Sequence, residues 1–599
     1  MEGLAYSNLA DAYSTQEEYD EACDYLDQTI ATYVDLGDKA AEGKARAELS
    51  IAKHHSDEQD EAISSMELAV TLAQEVDDKM AEAERLMQLG SLKLVAKEDN
   101  CGAETLLDSS IKVWRGICLL MRKQLLEEWR SEQQMSDNPR AVSFLQQHAA
   151  AYTMLQKALI AQDKPMLALE AAEEGRAKAL HDLMVLCDDL EWETAESNVL
   201  TCDAMKTLAA QQQSSIVVYS MVEPDLLLYI WTIPASGGDI TFTSVDLKAL
   251  STESGSTVNG AVQKLYETMA ALSAKVLCRG PAQAPEEEEA APVTPEDEIP
   301  ELQYLYNALI APVVDQLPTD KDVVFVPHGV LNLVPFAALK NPAGEPLIKT
   351  HAMSVSPSVR TFSALATRAA APTSSSTLIV GNPDILPQFE LPPLPGCDTE
   401  AEALAEAIGA DALLLQGPEA RMQRVVQEMQ NVSMMHFACH GQPGILYLGP
   451  TLPSGEESPE SPVDEEEDEE EEQYDDGLLY REHLHYLHLP TKPSVVLSCN
   501  YSAAGSITED GILGLPRGFL AAGARSVLST LWVAPDDSAI NLMKVWHKEA
   551  LTCATSGSQA KALQTAMLAM MDDSQFSHPL HWAGYVLFGN PSEHKAPEP

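Results

Sequence analysis

The chain has 599 residues, an ordinary apolar fraction of 45% and a formal net charge of −54. That length allows two to four domains with large cores. The charge excludes nucleic acid as a partner, because binding it needs basic surface to displace counterions from phosphate, and it disfavours anionic membrane surfaces for the same reason. The start, Met1-Glu2-Gly3-Leu4, carries no basic n-region and no apolar h-region. No uncharged apolar run reaches the roughly 18 residues of a membrane span. Ten scattered cysteines in this setting read as reduced thiols in a cytoplasmic protein.

Residues 1–110 repeat with a period of 40: Leu9, Leu49 and Leu89 correspond, as do Ala10, Ser50 and Gly90, and Ala22 and Ala62. Within each unit two amphipathic patterns flank a short polar turn such as Ser14-Thr15-Gln16-Glu17. A small residue after the leucine lets paired helices approach closely, and a second one acts one helix later. The pattern resembles the tetratricopeptide repeat (TPR) in a 40-residue form. Such units stack into a solenoid with a concave face, because none buries its apolar stripe alone. The opening at Gly3-Leu4-Ala5-Tyr6 lies inside a repeat, which suggests a piece of a longer product. Residues 111–190 continue as helical repeats and a connector, with Ile111, Trp114, Cys118 and Met121 on one face.

After Leu200 the period changes from helical to alternating. Ser215 to Val222 and Leu226 to Ile233 read as a hairpin around Glu223-Pro224-Asp225, with a third strand from Ile240 to Val245. Val258 to Leu277 and Glu301 to Leu317 read as helices, and Val323 to Val326 as a buried strand. Between the helices, 281–300 is a Glu/Ala/Pro insertion expected to be disordered. A second α/β half spans 376–592: the strand Leu378 to Pro383, a helix from Thr399 to Ile408 opened by Asp398-Thr399, the short strand Leu413 to Leu415, and a helix from Arg421 to Met429. It is interrupted at 454–476 by an insertion with nine consecutive acids, Asp464 to Glu472, expected to be a solvated loop near the mouth of any crevice.

Two pieces of this half carry the chemistry. Met434-Met435-His436-Phe437-Ala438-Cys439-His440-Gly441 and Val495-Val496-Leu497-Ser498-Cys499-Asn500 each read as a buried strand ending in polar residues. Strand ends followed by helices open into crevices where ligands bind. A histidine beside a cysteine there is the recipe for a thiolate nucleophile. These pieces, with Gly511-Ile512-Leu513-Gly514-Leu515, Phe519 to Val527, Leu531-Trp532, His578-Pro579 and Trp582 to Tyr585, come in the order of a CHAT domain, and the chain resembles that family over nearly its whole length. The resemblance implies an all-α TPR solenoid followed by an α/β caspase/separase-like CHAT domain made of two halves. The first, 200–370, is then the non-catalytic, pseudo-caspase half, and the second, 376–592, the catalytic-like half. It also implies a cysteine endopeptidase in which His440 is the general base and the Gly441 backbone N–H an oxyanion donor.

One departure counts against that activity. The family's nucleophile ends the segment Leu-Ser-Ala-Cys or Leu-Ser-Cys-Cys, and aligned without gaps from Leu497 to Gly511 that place is Asn500, with Cys499 one position early. Neighbouring strand residues point to opposite faces, so if position 500 faces the crevice Cys499 faces the core. Two functions follow: an interaction protein whose solenoid holds a protein or peptide on its concave face beside a degenerate His/Cys dyad, or an active endopeptidase using His440 and a displaced Cys499. His436 reads as core, and Arg517, after Pro516 in a helix from Gly514 to Gly523, as crevice-facing or a surface ion pair. The cluster His483, His485 and His488 pads the segment before Pro490. No zinc-site spacing, phosphate loop or nucleophile elbow is present, so neither metal nor cofactor is expected.

Overall fold

In the computed structural model, residues 2–131, 139–177, 180–181, 183–184, 200–222, 226–277, 299–368, 376–451, 476–508, 511–553 and 558–590 are described. Most of both insertions, 278–298 and 452–475, lies outside them. The chain forms two compact units, Met1–Gly175 and Arg176–Pro599.

The first unit is all-helical: α1 (Glu2–Thr15), α2 (Tyr19–Leu36), α3 (Lys39–His55), α4 (Gln59–Glu75), α5 (Lys79–Lys97), α6 (Asn100–Ser131), α7 (Pro139–Ala161) and α8 (Pro165–Glu174). The 40-residue period is written into the caps as well as the core. Asp38 and Asp78 each open a helix by accepting from the backbone N–H three residues on, at 3.1 and 3.0 Å. Glu17 and Asp57 turn the chain between paired helices at positive φ, as do Gly37 and Asp77 between units. Ala10, Ala22 and Leu26 pack with Ala45 and Leu49 of the next unit, and Met66 and Ala69 repeat the arrangement with Leu86 and Leu89. Each unit therefore closes its core only with its neighbour. Leu9, on the outer side of the first unit, stays 42% exposed while Leu49 and Leu89 are buried. Ser50 Oγ donates to Ala62 O across the helix pair at 2.6 Å.

The second unit holds one eleven-stranded sheet. Its strands are β1 (Ser214–Val222), β2 (Leu227–Ile233), β3 (Thr241–Asp246), β4 (Asp322–Val326), β5 (Met353–Val355), β6 (Thr377–Pro383), β7 (Ala412–Gly417), β8 (Met434–Ala438), β12 (Ser494–Leu497), β15 (Ser526–Thr530) and β16 (Tyr585–Gly589), with β9 (Gly441–Gln442), β10 (Ile445–Tyr447), β11 (Leu478–Tyr480), β13 (Ser506–Thr508) and β14 (Gly511–Leu513) in smaller sheets. The order is β3-β2-β1-β4-β5-β16-β15-β12-β8-β6-β7. The two halves inferred from the sequence occupy opposite ends of this single sheet, joined by the last strand, β16, which runs parallel to β5 and antiparallel to β15. The central strands β8, β12 and β15 are buried along their whole length. The edge strand β3 has no fully buried residue.

Two helices differ from the sequence expectation. The expected helix from Glu301 to Leu317 is Pro300–Leu309, followed by a 3-10 turn at Val314–Gln316. Pro312 lacks an N–H and disfavours helical backbone at the residue before it. The expected helix from Thr399 starts one turn earlier, as Pro395–Ile408, because Pro395 fits the first turn where its missing N–H is not needed. Asp398 therefore sits inside the helix, where it accepts from Asn382 Nδ2 at 2.7 Å.

Candidate active site

The corner forms where β8 and β12 end side by side. They are parallel and in register, Met434 opposite Ser494 through Phe437 opposite Leu497. Two residues beyond that last pair, Cys439 and Cys499 become neighbours. Their sulfurs lie 3.6 Å apart, and Cys499 Sγ donates to Phe437 O at 3.3 Å. Both residues are 2% exposed. Contact with Cys499, then burial, holds the Cys439 thiol well above its ordinary pKa. Gly441 is required here: a Cβ on it would stand 2.7 Å from the Cys499 Cβ, closer than real side chains pack. The same Cβ would stand 3.5 Å from the Asn500 carbonyl, so the Asn500 backbone lies beside the residue that follows His440. Asn500 itself is exposed.

His440 is half-buried, and its Nε2 lies 2.7 Å from Pro392 O. A carbonyl only accepts, so Nε2 carries the proton and Nδ1 is left as the basic nitrogen of the neutral ring. Burial lowers the His440 pKa, offset in part by that hydrogen bond. Tyr447 stands edge-on at 6.4 Å between ring centroids. The turn after β12 is held from below: Ser502 Oγ donates to Leu497 O at 3.0 Å, Thr530 Oγ1 donates to Cys499 O, and Ala503 N–H donates to Thr530 O at 2.9 Å.

The CHAT domain family profile matches residues 300–590. Residues 300–590 carry a CHAT domain, and helical repeats precede it. Tetratricopeptide repeat protein 28 is similar in both Homo sapiens, at 25% identity, and Mus musculus, at 26%, over 78% of this chain and 23% of each relative. The chain thus spans about a quarter of the length of these curated relatives. Among solved structures, the separase of the Saccharomyces cerevisiae separase–securin complex aligns over 98% of this chain and 47% of its own, with 11% identity and a TM-score of 0.48. Porphyromonas gingivalis RgpB aligns over 55% of this chain and 77% of its own, with 9% identity and a TM-score of 0.30. The strands β1–β3 precede the matched residues yet belong to the same sheet as the CHAT domain.

Beneath the corner the CHAT domain holds a buried polar chain. His436 faces away from Phe437 and Cys439: its Nε2 meets Glu400 Oε1 at 2.9 Å and its Nδ1 meets His547 Nε2 at 3.1 Å. His436 is fully buried, and Glu400 and His547 are 3% and 2% exposed. His436 was legible as a core position, whereas its two partners were not singled out. A signal for them existed. Glu400 lies four residues before Leu404 and His547 four after Met543, so both share the apolar face of their helices.

The other candidates lie apart from this chain of groups. Arg517 is 8% exposed in the first turn of the helix Leu515–Ala522, after Pro516 at that helix's second position. His483 is exposed and packs edge-on against Tyr480, while burial and Arg517 push His485 down to about 4. Among the described residues no group of three His, Cys, Asp or Glu side chains is placed to hold a metal ion. Nor is any described helix long and apolar enough to cross a membrane.

Several histidines are held neutral by burial, which sets a pH dependence. His485 and His581 are pushed down to about 4, and His547 lies well below its ordinary value. The unfolded chain binds these protons near pH 6.5 and the folded one only at lower pH, about 4 for His485 and His581, so the stability is present above 6.5 and lost as pH falls toward 4. For those two histidines a fully expressed shift is worth about 3 kcal/mol. The thermal midpoint is expected to fall steadily between pH 6.5 and 4.5 and to stay level between 7 and 8. A midpoint unchanged down to pH 4.5 contradicts this assignment.

Proposed function

We propose that this chain is a cytoplasmic interaction protein: the repeats hold a protein or peptide segment on their concave face, and the CHAT domain is a caspase/separase-like fold that does not cleave. One observation carries the second part. The cysteine next in sequence to the family's nucleophile position, Cys499, is 2% exposed, packs on Cys439 and donates to Phe437 O. A nucleophile must instead meet substrate at the surface and lie within hydrogen-bond reach of its base. Asn500, which does reach the surface, has no proton to lose near neutral pH. In this reading the Gly441 N–H would face a bound carbonyl without turning it over. The cytoplasmic assignment is supported by Cys23, Cys101, Cys397, Cys439 and Cys499 all being free of disulfides.

The test is labelling of the full chain with thiol-reactive peptide electrophiles at pH 7.5. No modification of Cys499 is expected, and none that depends on His440. Modification of Cys499 that disappears in His440→Ala would establish the other reading, an endopeptidase with a displaced nucleophile. For the repeats, removal of residues 1–110 is expected to abolish capture of a partner that the full chain binds; undiminished capture rules out a binding role for them.

A further inference from the structure

We propose that Cys439 and Cys499 are a cross-strand dithiol that a peroxide-class oxidant converts to a disulfide, locking the ends of β8 and β12 together beneath His440 and Asn500. The register supplies the geometry. The two residues each lie two positions past the last registered pair, Phe437 opposite Leu497, of adjacent parallel strands, and neighbouring strands lie about 4.8 Å apart. A disulfide accepts Cα separations of about 4.4–6.8 Å. The sulfurs already touch at 3.6 Å and point at one another from the same face of the sheet. Closing to a bond of about 2.05 Å asks for a small rotation of each side chain and no slip of either strand. Gly441, with no Cβ to crowd Cys499, leaves that rotation open.

Both thiols are buried, but each is one residue from the surface: half-buried His440 follows Cys439 and exposed Asn500 follows Cys499. Hydrogen peroxide, small and uncharged, reaches them by a local opening of the strand ends. One thiol, as thiolate, attacks a peroxide oxygen; the S–O bond forms, the O–O bond breaks, and hydroxide leaves as water with the thiol proton. The second thiol attacks the resulting sulfenic sulfur; the S–S bond forms, the S–O bond breaks, and a second water leaves. Two thiols are oxidised and one peroxide is reduced to two waters. Contact with Cys499, then burial, disfavours the thiolate of Cys439, so the step is slow at neutral pH and quickens as pH rises. The oxidised corner holds position 500 fixed against His440, whether or not the corner turns over a substrate.

The experiment treats the full chain with hydrogen peroxide, quenches, denatures it and counts alkylatable thiols by intact mass. The count is expected to fall from ten to eight, to return with dithiothreitol, and peptide mapping is expected to join the segments bearing Cys439 and Cys499. Cys439→Ser and Cys499→Ser should each abolish the paired loss, and Cys397→Ser should leave it unchanged. A disulfide mapped to other cysteines overturns the proposal. So do irreversible oxidation of either residue without pairing and retention of all ten thiols at pH 8.5. Mapping on the parent chain decides the question even if a serine variant does not fold.

Discussion

Asn500→Cys is expected to create a thiol that peptide electrophiles label at least ~10-fold faster than any cysteine of the parent chain at pH 7.5. Position 500 is exposed, and its backbone lies against Gly441, the residue after His440. A sulfur there leaves the core and enters the corner that the neutral His440 ring serves. With Nε2 donated to Pro392 O, Nδ1 is free to take the thiol proton. General-base assistance contributes about 10²–10⁴-fold, so His440→Ala in the Asn500→Cys background should remove most of the gain. Cys499→Ala in that background should leave it intact. Labelling of position 500 that is indifferent to His440 would mean the two do not form a dyad, and the degenerate-site reading would lose its premise. Hydrolysis of a peptide by the variant is the stronger outcome and is read by mass spectrometry of the products.

The second large effect is structural. Glu400→Ala should destabilise the CHAT domain by about 3–5 kcal/mol, because the fully buried His436 ring loses the carboxylate that meets it. In a domain of this size that is on the order of 10 °C in Tm. Glu400→Gln keeps an acceptor in place and should cost distinctly less. Circular dichroism melts of the three proteins distinguish the cases. Equal losses for Ala and Gln would show that shape, not the hydrogen bond, is what Glu400 contributes. His547 sharpens the argument, since its Nε2 already engages His436 and its Nδ1 has no hydrogen-bond partner among the described residues. Removing Glu400 therefore unsettles two imidazoles rather than one. It also bears on the corner, because β8 carries His436 and ends at Ala438, two residues before His440.

The sequence by itself determined much of the architecture. A period of 40 in small and apolar residues specified stacked helix pairs, since only a repeat that closes its core on its neighbour keeps Leu49 and Leu89 buried. Short, largely apolar runs specified buried central strands. Strand alternation separated His436 from Cys439, because period-2 geometry is local. What lay beyond it was set between segments distant in the chain. That the two halves share one sheet depends on β16 pairing with β5, some 230 residues apart. The contact of Cys439 with Cys499 spans 60 residues and rests on the parallel register of β8 and β12, which no single strand encodes. Glu400 and His547 reach His436 from two different helices, across 36 and 111 residues. Local patterning decides which face a side chain takes, but the identity of the group it meets there is decided only when sheet order and helix packing bring separate segments together.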